Sequence, residues 1–174
     1  MVKSSKKSRT INLLHELLKD SCRSDRELSR VIGVSQPTIS KMKKDLLDQG
    51  VIQGFTMIPK FSKIGYTLLA ITFVKVKNIL SSGEDFKENT ENAKKWLNEQ
   101  ANVIFADFCR GMDMDALMIS LHHTYQDFDE FIKNHNQRLG HQVTDIKSTL
   151  VNLAGNQTLK PFHFKYLADN FKEV

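Results

Sequence analysis

The sequence is poor in the residues that form covalent or metal-bound scaffolds. Only two of its 174 residues are cysteine. Cys22 and Cys109 lie outside any CxxC or Cys/His spacing, so neither a disulfide framework nor a zinc site is expected. A Gly-rich phosphate loop, an HExxH motif and a GxSxG motif are also missing. His122 and His123 are adjacent, but neighbours on a strand point to opposite faces. We therefore expect no catalytic residues, no metal and no cofactor.

Long hydrophobic runs are missing as well. The longest apolar stretch, from Tyr66 to Val74, is interrupted by Thr67 and Thr72 and ends at Lys75. A helix needs about 20 apolar residues to span a bilayer. The N-terminus is basic but has no apolar segment behind it, unlike a secretory signal. The sequence therefore predicts a cytoplasmic protein without a membrane partner.

Positive charge is concentrated at one end of the chain. Residues 1–63 contain 13 Lys and Arg against 6 Asp and Glu, whereas residues 64–174 contain 12 against 14. A positive surface gains affinity for nucleic acid by releasing counterions from phosphates. The asymmetry therefore favours an anionic partner such as double-stranded DNA, the alternative being a solvated basic surface. Residues 1–9, where lysines cluster, are predicted to form a flexible basic arm.

The next residues follow a helix-turn-helix pattern. Apolar residues recur at helical spacing over 10–19, and Ser24 and Glu27 form a capping box that starts a second helix. Gly33 ends that helix because glycine readily adopts the left-handed conformation, and Ser35 caps a third helix. The apolar residues predicted to form the shared core are Ile11, Leu13, Leu14, Leu17, Leu18, Leu28, Val31, Ile32, Ile39, Met42, Leu46 and Leu47.

The third helix has a polar side that suits DNA. An α-helix fits the major groove of B-DNA, and residues near its N-terminus reach the base edges. The predicted DNA-binding residues are Ser35, Gln36, Thr38, Ser40, Lys41, Lys43 and Lys44. Gln36 can pair with adenine through two hydrogen bonds, whereas the lysines and the helix N-terminus are better suited to phosphates. The alternative is that this lysine-rich side is merely solvated.

A β-prone segment follows the three helices. It covers residues 51–59, is interrupted by Gly54 and ends at Pro59. Such a segment after a helix-turn-helix predicts a winged or strand-extended domain. We accordingly place a helix-turn-helix DNA-binding domain at residues 10–56 and a linker at residues 57–65.

These residues also carry a family resemblance. The stretches RELSRVIGVS at 26–35 and LDQGVIQGFT at 47–56, with Pro37-Thr38 between them, closely resemble the DNA-binding domain of the leucine-responsive regulatory protein family (Lrp/AsnC, or feast/famine regulators). The resemblance spans residues 10–60. It implies a dimeric transcription regulator.

Residues 66–154 predict a separate domain and make the chain an α+β protein. The predicted strands are 66–76, 103–110, 116–122 and 143–153, and the predicted helices are 85–100 and 124–139. The order β-α-β-β-α-β is typical of a ferredoxin-like sandwich, in which two helices cover one face of an antiparallel sheet. The predicted apolar faces include Ile104, Ala106 and Phe108 in the second strand and Tyr125, Phe128, Ile132, His135 and Leu139 in the second helix. A second copy of the chain is the simplest cover for the other sheet face, so a homodimer is expected.

The resemblance extends, more loosely, to this sandwich. In the family, the sandwich dimerises and often binds an amino acid between subunits, and the loop between its second and third strands contributes to that site. Gly111, Asp113 and Asp115 match the loop, although Met112 looks inserted and Ala116 replaces a larger residue. The resemblance thus implies an amino-acid effector site at these three residues. The alternative is that the two acids are ordinary turn residues.

Residues 155–174 extend beyond the last predicted strand, where family members often end. The extension contains several aromatic residues, including Phe162, Phe164 and Tyr166. It could cover the sheet edge, exchange between subunits or bind a partner. Packing within the chain or the dimer is the favoured interpretation.

The preferred function is a sequence-specific DNA-binding transcription regulator that acts as a homodimer, or as a tetramer or octamer. Two recognition helices related by a twofold axis contact half-sites about 34 Å apart, one turn of DNA. One alternative is a metabolite-sensing or nonspecific DNA-architectural protein without a specific operator. Another is an enzyme with a ferredoxin-like catalytic domain, which the missing motifs disfavour.

Overall fold

The chain folds into two compact units. The computed structural model describes residues 2–77, 84–155 and 158–168. The helical unit comprises the chain up to Ile58 together with residues 160–168, and the sandwich unit runs from Pro59 to Leu159. Residues 59–65, which the sequence predicts as a linker, thus belong to the sandwich unit. Within the described residues, no helix is long and apolar enough to cross a membrane.

Three helices come first along the chain, and the four strands and the other three helices follow. The helices are α1 Val2–Lys19, α2 Asp25–Ile32, α3 Gln36–Asp48, α4 Glu84–Glu99, α5 Tyr125–Leu139 and α6 Lys165–Ala168. The strands are β1 Leu68–Val76, β2 Val103–Gly111, β3 Met114–His122 and β4 Val143–Asn152. Two short 3₁₀ turns lie at Phe61–Ile64 and Gly140–Gln142.

The N-terminal end of the helical unit differs from the sequence prediction, whereas its C-terminal end agrees with the favoured interpretation. Helix α1 begins at Val2, so the basic residues that were expected to form an arm continue the first helix. No glycine or proline interrupts the stretch from Val2 to Lys19, and such a stretch can remain helical. At the other end of the chain, α6 packs against α1. The described part of the C-terminal extension therefore packs within its own chain.

Local capping signals set the limits of α2 and α3 as predicted. The Glu27 N–H donates to Ser24 Oγ at 3.3 Å, and the Ser24 N–H donates to Glu27 Oε2 at 2.8 Å. These two bonds complete the capping box of α2. Gly33 follows α2 with a φ of 74°, a left-handed conformation that costs glycine little. Ser35 Oγ accepts a hydrogen bond from the Thr38 N–H at the start of α3.

The core of the helical unit is small and apolar. Its buried residues are Leu13, Leu17, Leu28, Ile39 and Leu46. Leu13 is fully buried. Val31 and Leu47 were predicted to face the core but are 56% and 39% exposed. On α2, only Leu28 and Ile32, which are four positions apart, face the core. Each residue of a helix is rotated by about 100° about the axis from the one before it, which places Val31 to one side of this pair.

Residues 51–60 have no regular secondary structure. The β-prone segment therefore forms no strand within the described chain. A strand requires a partner for its backbone hydrogen bonds, and neither α3 nor the following 3₁₀ turn offers one. Val51, Phe55 and Met57 of this segment are exposed.

The sandwich unit has the predicted β-α-β-β-α-β order. Its four strands form an antiparallel sheet in the order β2-β3-β1-β4, with Ala70 opposite Ser120 on β3 and opposite Leu150 on β4. Helices α4 and α5 cover one face of the sheet. The buried core between the helices and the sheet consists of Trp96, Met118, Phe131 and Leu139.

Two elements of the sandwich face the core differently from the prediction. On β2, Ile104 and Phe108 are each 54% exposed, because β2 is an edge strand whose register shifts between Val103 and Phe105. On α5 the buried stripe is Phe131, His135 and Leu139, whereas Tyr125 is 62% exposed. These three buried residues are each four positions apart, so the buried stripe of α5 is a single row and is narrower than predicted.

The opposite face of the sheet has no cover among the described residues of the sandwich unit. In the central strands, alternate residues point away from the helices. They are Leu69, Ile71 and Phe73 on β1 and Leu117, Ile119 and Leu121 on β3. All but Leu121 remain partly accessible. On the neighbouring strands, Phe105 is 50% exposed and Val151 is 41% exposed. This surface, which we call the open sheet face, is predominantly apolar.

Two histidines lie in the core of the sandwich. His122 is 2% exposed and His135 is 3% exposed. The His122 Nε2 lies 2.8 Å from Ser120 Oγ, and the His135 ring meets the Trp96 ring edge-on at a centroid distance of 5.1 Å. Burial lowers the pKa of both imidazoles below the ordinary value of 6.5, although Asp127 opposes this effect at His122. Both side chains are therefore neutral in the folded unit at neutral pH.

We expect the sandwich unit to lose stability as the pH falls below about 6.5. In the unfolded chain each imidazole is protonated near its ordinary pKa of 6.5, whereas in the folded unit protonation requires a lower pH. The unfolded state thus binds more protons in this window, and the free energy of unfolding decreases as the pH falls through it. Urea unfolding followed by Trp96 fluorescence at about pH 7.5 and about pH 5.5 measures the effect. His135→Gln should reduce the pH dependence, and an unchanged dependence in that variant contradicts the assignment.

Candidate nucleic-acid interface

Helix α3 presents one apolar side and one polar side. Ile39 and Leu46 are buried in the core of the helical unit, and Met42 packs against that core. Six of the seven predicted DNA-binding residues are exposed: Ser35, Gln36, Thr38, Ser40, Lys41 and Lys44. The seventh, Lys43, is partly buried. The packing of the apolar side therefore directs the polar side outward.

Hydroxyl groups organise the first turn of α3. Ser35 Oγ accepts from the Thr38 N–H at 3.4 Å and lies 2.8 Å from Thr38 Oγ1. Pro37, in the same turn, has no N–H to satisfy. The N-terminus of α3 suits a phosphate oxygen. It is the positive end of the helix dipole, and its first N–H groups have no partner within the helix.

Asp25 holds two of the predicted DNA-binding residues. Lys43 Nζ lies 2.7 Å from Asp25 Oδ1, and the Ser40 hydroxyl donates to Asp25 Oδ2. Hydrogen bonds from Lys43 and from Ser40 keep the pKa of the Asp25 carboxyl below its ordinary value. Asp25 was not among the predicted functional residues. It lies 15 and 18 positions before its two partners, and no short-range sequence motif marks such a contact.

Three predicted side chains have no such partner. Gln36, Lys41 and Lys44 make no side-chain hydrogen bond or ion pair with any part of the chain that the structure describes. Arg26 and Arg30 on α2 are also exposed. By contrast, Arg23 and Lys19 both pair with Glu16. The cations available to an external anion on α2 and α3 are therefore Arg26, Arg30, Lys41 and Lys44.

The predicted effector residues lie at the hairpin that joins β2 to β3. Gly111 pairs with Met114, so the hairpin turn consists of Met112 and Asp113. Their φ values are 54° and 58°, as a type I′ hairpin turn requires. A methionine is uncommon in this left-handed region, and Met112 is 70% exposed.

Asp113 in the turn and Asp115 in β3 both have partners in their own chain. Asp113 forms an ion pair with Lys75, and the hydrogen bond from Lys75 lowers the pKa of the Asp113 carboxyl. Asp115 Oδ2 accepts a hydrogen bond from the Val76 N–H at 2.9 Å. The two acids thus attach the hairpin to the end of β1. In the described residues, no group of three or more His, Cys, Asp or Glu side chains could hold a metal ion.

A cavity of about 220 Å³ opens between α4 and the sheet. Its walls include Phe86, Ala93, Trp96, Phe108, Ala116 and Met118. Lys94 also lines it, but the Lys94 ammonium pairs with Glu91 at 2.7 Å. This predominantly apolar space is poorly suited to the charged ends of an amino acid.

Comparison with known proteins agrees with these features. Residues 8–53 match the family model described as winged helix-turn-helix DNA-binding. A helix-turn-helix-type transcriptional regulator of Pyrococcus furiosus is 30% identical over 122 residues, which cover 70% of this chain and 76% of that protein. The regulator LrpA of Pyrococcus abyssi is 28% identical over 96 residues, which cover 54% of this chain and 68% of LrpA.

Solved structures share the fold over most of the chain. An AsnC family transcriptional regulator from Agrobacterium tumefaciens superimposes with a TM-score of 0.71 at 16% identity, covering 88% of this chain and 92% of that chain. The regulator NMB0573 from Neisseria meningitidis, solved as a complex with L-Met, superimposes with a TM-score of 0.69 at 19% identity, covering 82% and 87%. Sequence and fold agree with the resemblance seen in the DNA-binding residues. The chain therefore belongs to the Lrp/AsnC family of helix-turn-helix transcription regulators.

Proposed function

We propose that this regulator binds specific DNA sequences by placing the N-terminal half of α3 in the major groove of double-stranded DNA. We refer to α3 from here on as the recognition helix. The observation that supports this proposal is the arrangement of its polar side, where Gln36, Lys41 and Lys44 are exposed and unpartnered within the described chain. Hydrogen-bonding groups without internal partners on a rigid helix suit contacts to bases and phosphates.

The proposed roles of five exposed residues follow from their chemistry. Gln36 is proposed to read adenine through two hydrogen bonds, and Thr38 to contact a neighbouring base edge. Lys41 and Lys44 are proposed to bind phosphates, as is the helix terminus at Ser35. Base contacts give sequence preference, whereas phosphate contacts raise the affinity for all sequences.

The proposed active form is a homodimer joined through the open sheet face. An apolar face across two central strands is larger than the scattered apolar residues usual on a monomer surface. A twofold axis brings the same face of a second copy against it. The resulting dimer, or a tetramer or octamer built from it, presents two recognition helices to a pseudo-palindromic site.

An amino-acid effector is proposed at Gly111, Asp113 and Asp115. The structurally similar NMB0573 was solved as a complex with L-Met, which supports an amino acid as the kind of ligand. An ammonium group that binds Asp113 has to share the carboxylate with Lys75, which pairs with Oδ1 in the present structure, or displace it. Calorimetric titration with amino acids tests this proposal.

Binding to the DNA upstream of its own gene tests the proposed function. Fluorescence anisotropy compares that duplex with a scrambled duplex of equal length at several salt concentrations. A preference of about 10³-fold or more is within the range of specific DNA-binding proteins. Equal and steeply salt-dependent affinities contradict sequence-specific binding and favour a nonspecific architectural or effector-gated protein.

The two proposed kinds of contact respond differently to mutation. Lys41→Met or Lys44→Met should weaken binding to all sequences and reduce the log–log salt slope by about 0.9 each. Gln36→Ala should change the base preference with little change in slope. Lys133→Met, at an exposed position of α5 in the sandwich unit, is the matched control and should change neither. Salt slopes that are unchanged in both recognition-helix variants contradict the assignment.

A further inference from the structure

We propose that Asp25 is a positioning residue for DNA recognition, which fixes the recognition helix by holding Ser40 and Lys43, so that Lys43 is a structural cation and not a phosphate ligand. This inference rests on the proposed function and refines it. It assigns a role to a residue outside the seven predicted DNA-binding residues. It also separates Lys43 from Lys41 and Lys44, which have the same residue type and lie on the same helix.

The geometry of the contact links the two helices of the helix-turn-helix. Asp25 is the first residue of α2, and its two carboxylate oxygens have different partners on α3. Oδ1 accepts from the Lys43 ammonium at 2.7 Å, and Oδ2 accepts from the Ser40 hydroxyl. Residues three apart lie on one side of a helix in successive turns. A single carboxylate therefore restrains two turns of the recognition helix and limits its rotation about its own axis.

The contact is partly shielded from water. The side chains of Lys43 and Asp25 are 20% and 30% exposed. The ion pair of Lys94 with Glu91 on α4, at the same distance of 2.7 Å, has side chains that are 62% and 70% exposed. Solvent and salt weaken an exposed pair more than a shielded one. The bond between Asp25 and Lys43 is therefore the more persistent of the two, and it keeps the Lys43 ammonium from an external phosphate.

The loss of Asp25 could change the affinity for a specific DNA site in two opposite directions. An acidic group beside the DNA-binding surface repels phosphates, so its removal should strengthen binding to every sequence if charge alone matters. If Asp25 positions the recognition helix, its removal lets the helix shift, and base contacts depend on accurate placement. Binding to the specific site should then weaken, while binding to other sequences strengthens.

The decisive experiment measures Asp25→Ala on the upstream and scrambled duplexes over a range of salt concentrations. Affinity for the upstream duplex should fall about tenfold, the low end of what a hydrogen bond to a charged group contributes. Affinity for the scrambled duplex should rise, and its salt slope should steepen by about 0.9, because Lys43 is released to bind a phosphate. Lys43→Met should leave the slope unchanged.

Asp48→Ala is the matched control. It removes one carboxylate from an exposed position on the recognition helix, where Asp48 makes no side-chain hydrogen bond or ion pair with the described residues. Asp25→Asn keeps the shape of the side chain and replaces Asp25→Ala if circular dichroism shows that the latter has lost helix. Its effects should have the same directions.

Three results overturn the inference. The first is a salt slope of DNA binding that falls by about 0.9 in Lys43→Met. The second is an Asp25 variant that binds both duplexes as Asp48→Ala does. The third is an Asp25 variant that binds the upstream duplex more tightly than the wild type. A wild-type protein without preference for the upstream duplex contradicts the proposed function instead. The slopes on the scrambled duplex then still decide whether Asp25 holds Lys43, because that comparison needs no specific site.

Discussion

The variant Ile71→Lys is expected to be a monomer, whereas the wild-type protein is expected to be a dimer. Ile71 lies opposite Ile119 on the open sheet face, in one of the two central strands. A charge at this position stands in the middle of the proposed dimer interface. An ammonium buried there without a partner costs several kcal/mol, about as much as the apolar contacts of two or three side chains provide.

The mass of the particle in solution measures this effect. Size-exclusion chromatography with light scattering should give the mass of a dimer for the wild type and half of it for Ile71→Lys. Asn98→Lys places the same charge on the exposed side of α4 and should remain dimeric. Unchanged Trp96 fluorescence shows that the sandwich of the variant is folded. A dimeric Ile71→Lys protein excludes the open sheet face as the interface.

Loss of the dimer should also weaken DNA binding. Joining two half-site contacts in one particle raises the apparent affinity by about 10²- to 10⁴-fold when both can engage together. Ile71→Lys should lose this factor on a duplex with two half-sites and keep its affinity for a duplex with one. Anisotropy titrations with the two duplexes separate this loss of avidity from damage to the recognition helix. Equal losses on both duplexes contradict the dimer explanation.

The boundaries of the elements could largely be predicted because they depend on residues close in sequence. The capping box of Ser24 and Glu27, and that of Thr124 and Asp127, each join residues three positions apart. Gly33 ends α2 through its own backbone conformation. Alternating apolar residues likewise identified β2 and β3, and β-branched and aromatic residues identified β1. All of these signals are local, so they can be recognised without knowledge of the fold.

The depth of burial could not be predicted because it depends on how the elements pack. Val31 and Leu28 are both apolar residues of one helix, yet one is 56% exposed and the other is fully buried. Phe108 belongs to an alternating apolar pattern that predicts a buried strand face, but β2 lies at the edge of the sheet. Its outer side has no neighbouring strand. Sequence periodicity identifies a face but not what covers it.

The same distinction between local signals and long-range packing applies to the candidate sites. The polar side of the recognition helix could be predicted, because the apolar residues Ile39 and Leu46 fix which side is outward. The partners of the polar residues could not. Asp25 reaches Lys43 across 18 positions, and Lys75 reaches Asp113 across 38. Such contacts decide whether a charged side chain is available to a ligand, and they form only when the fold brings distant residues together.

Leu28→Ala is expected to unfold the helical unit well below the unfolding temperature of the sandwich and thereby to abolish DNA binding. Leu28 is fully buried among the apolar residues of α1 and α3. Removing three carbons from such a site costs about 2–5 kcal/mol, since the lost contacts are only partly recovered by relaxation. The total stability of a domain is only about 5–15 kcal/mol, and a unit with a core of this size lies at the lower end. The substitution should therefore remove most of the free energy of unfolding of the helical unit.

Two optical signals separate the units in this experiment. Trp96, the single tryptophan, lies in the core of the sandwich, so its fluorescence follows that unit, whereas the loss of helical circular dichroism at lower temperature follows the helical unit. Val31→Ala, at a 56% exposed position of the same helix, is the matched control and should change stability by less than about 0.5 kcal/mol. Because each unit has its own core, Leu28→Ala should split the melting curve into two steps. A single transition, in which Trp96 fluorescence and circular dichroism shift together, contradicts independent folding of the helical unit.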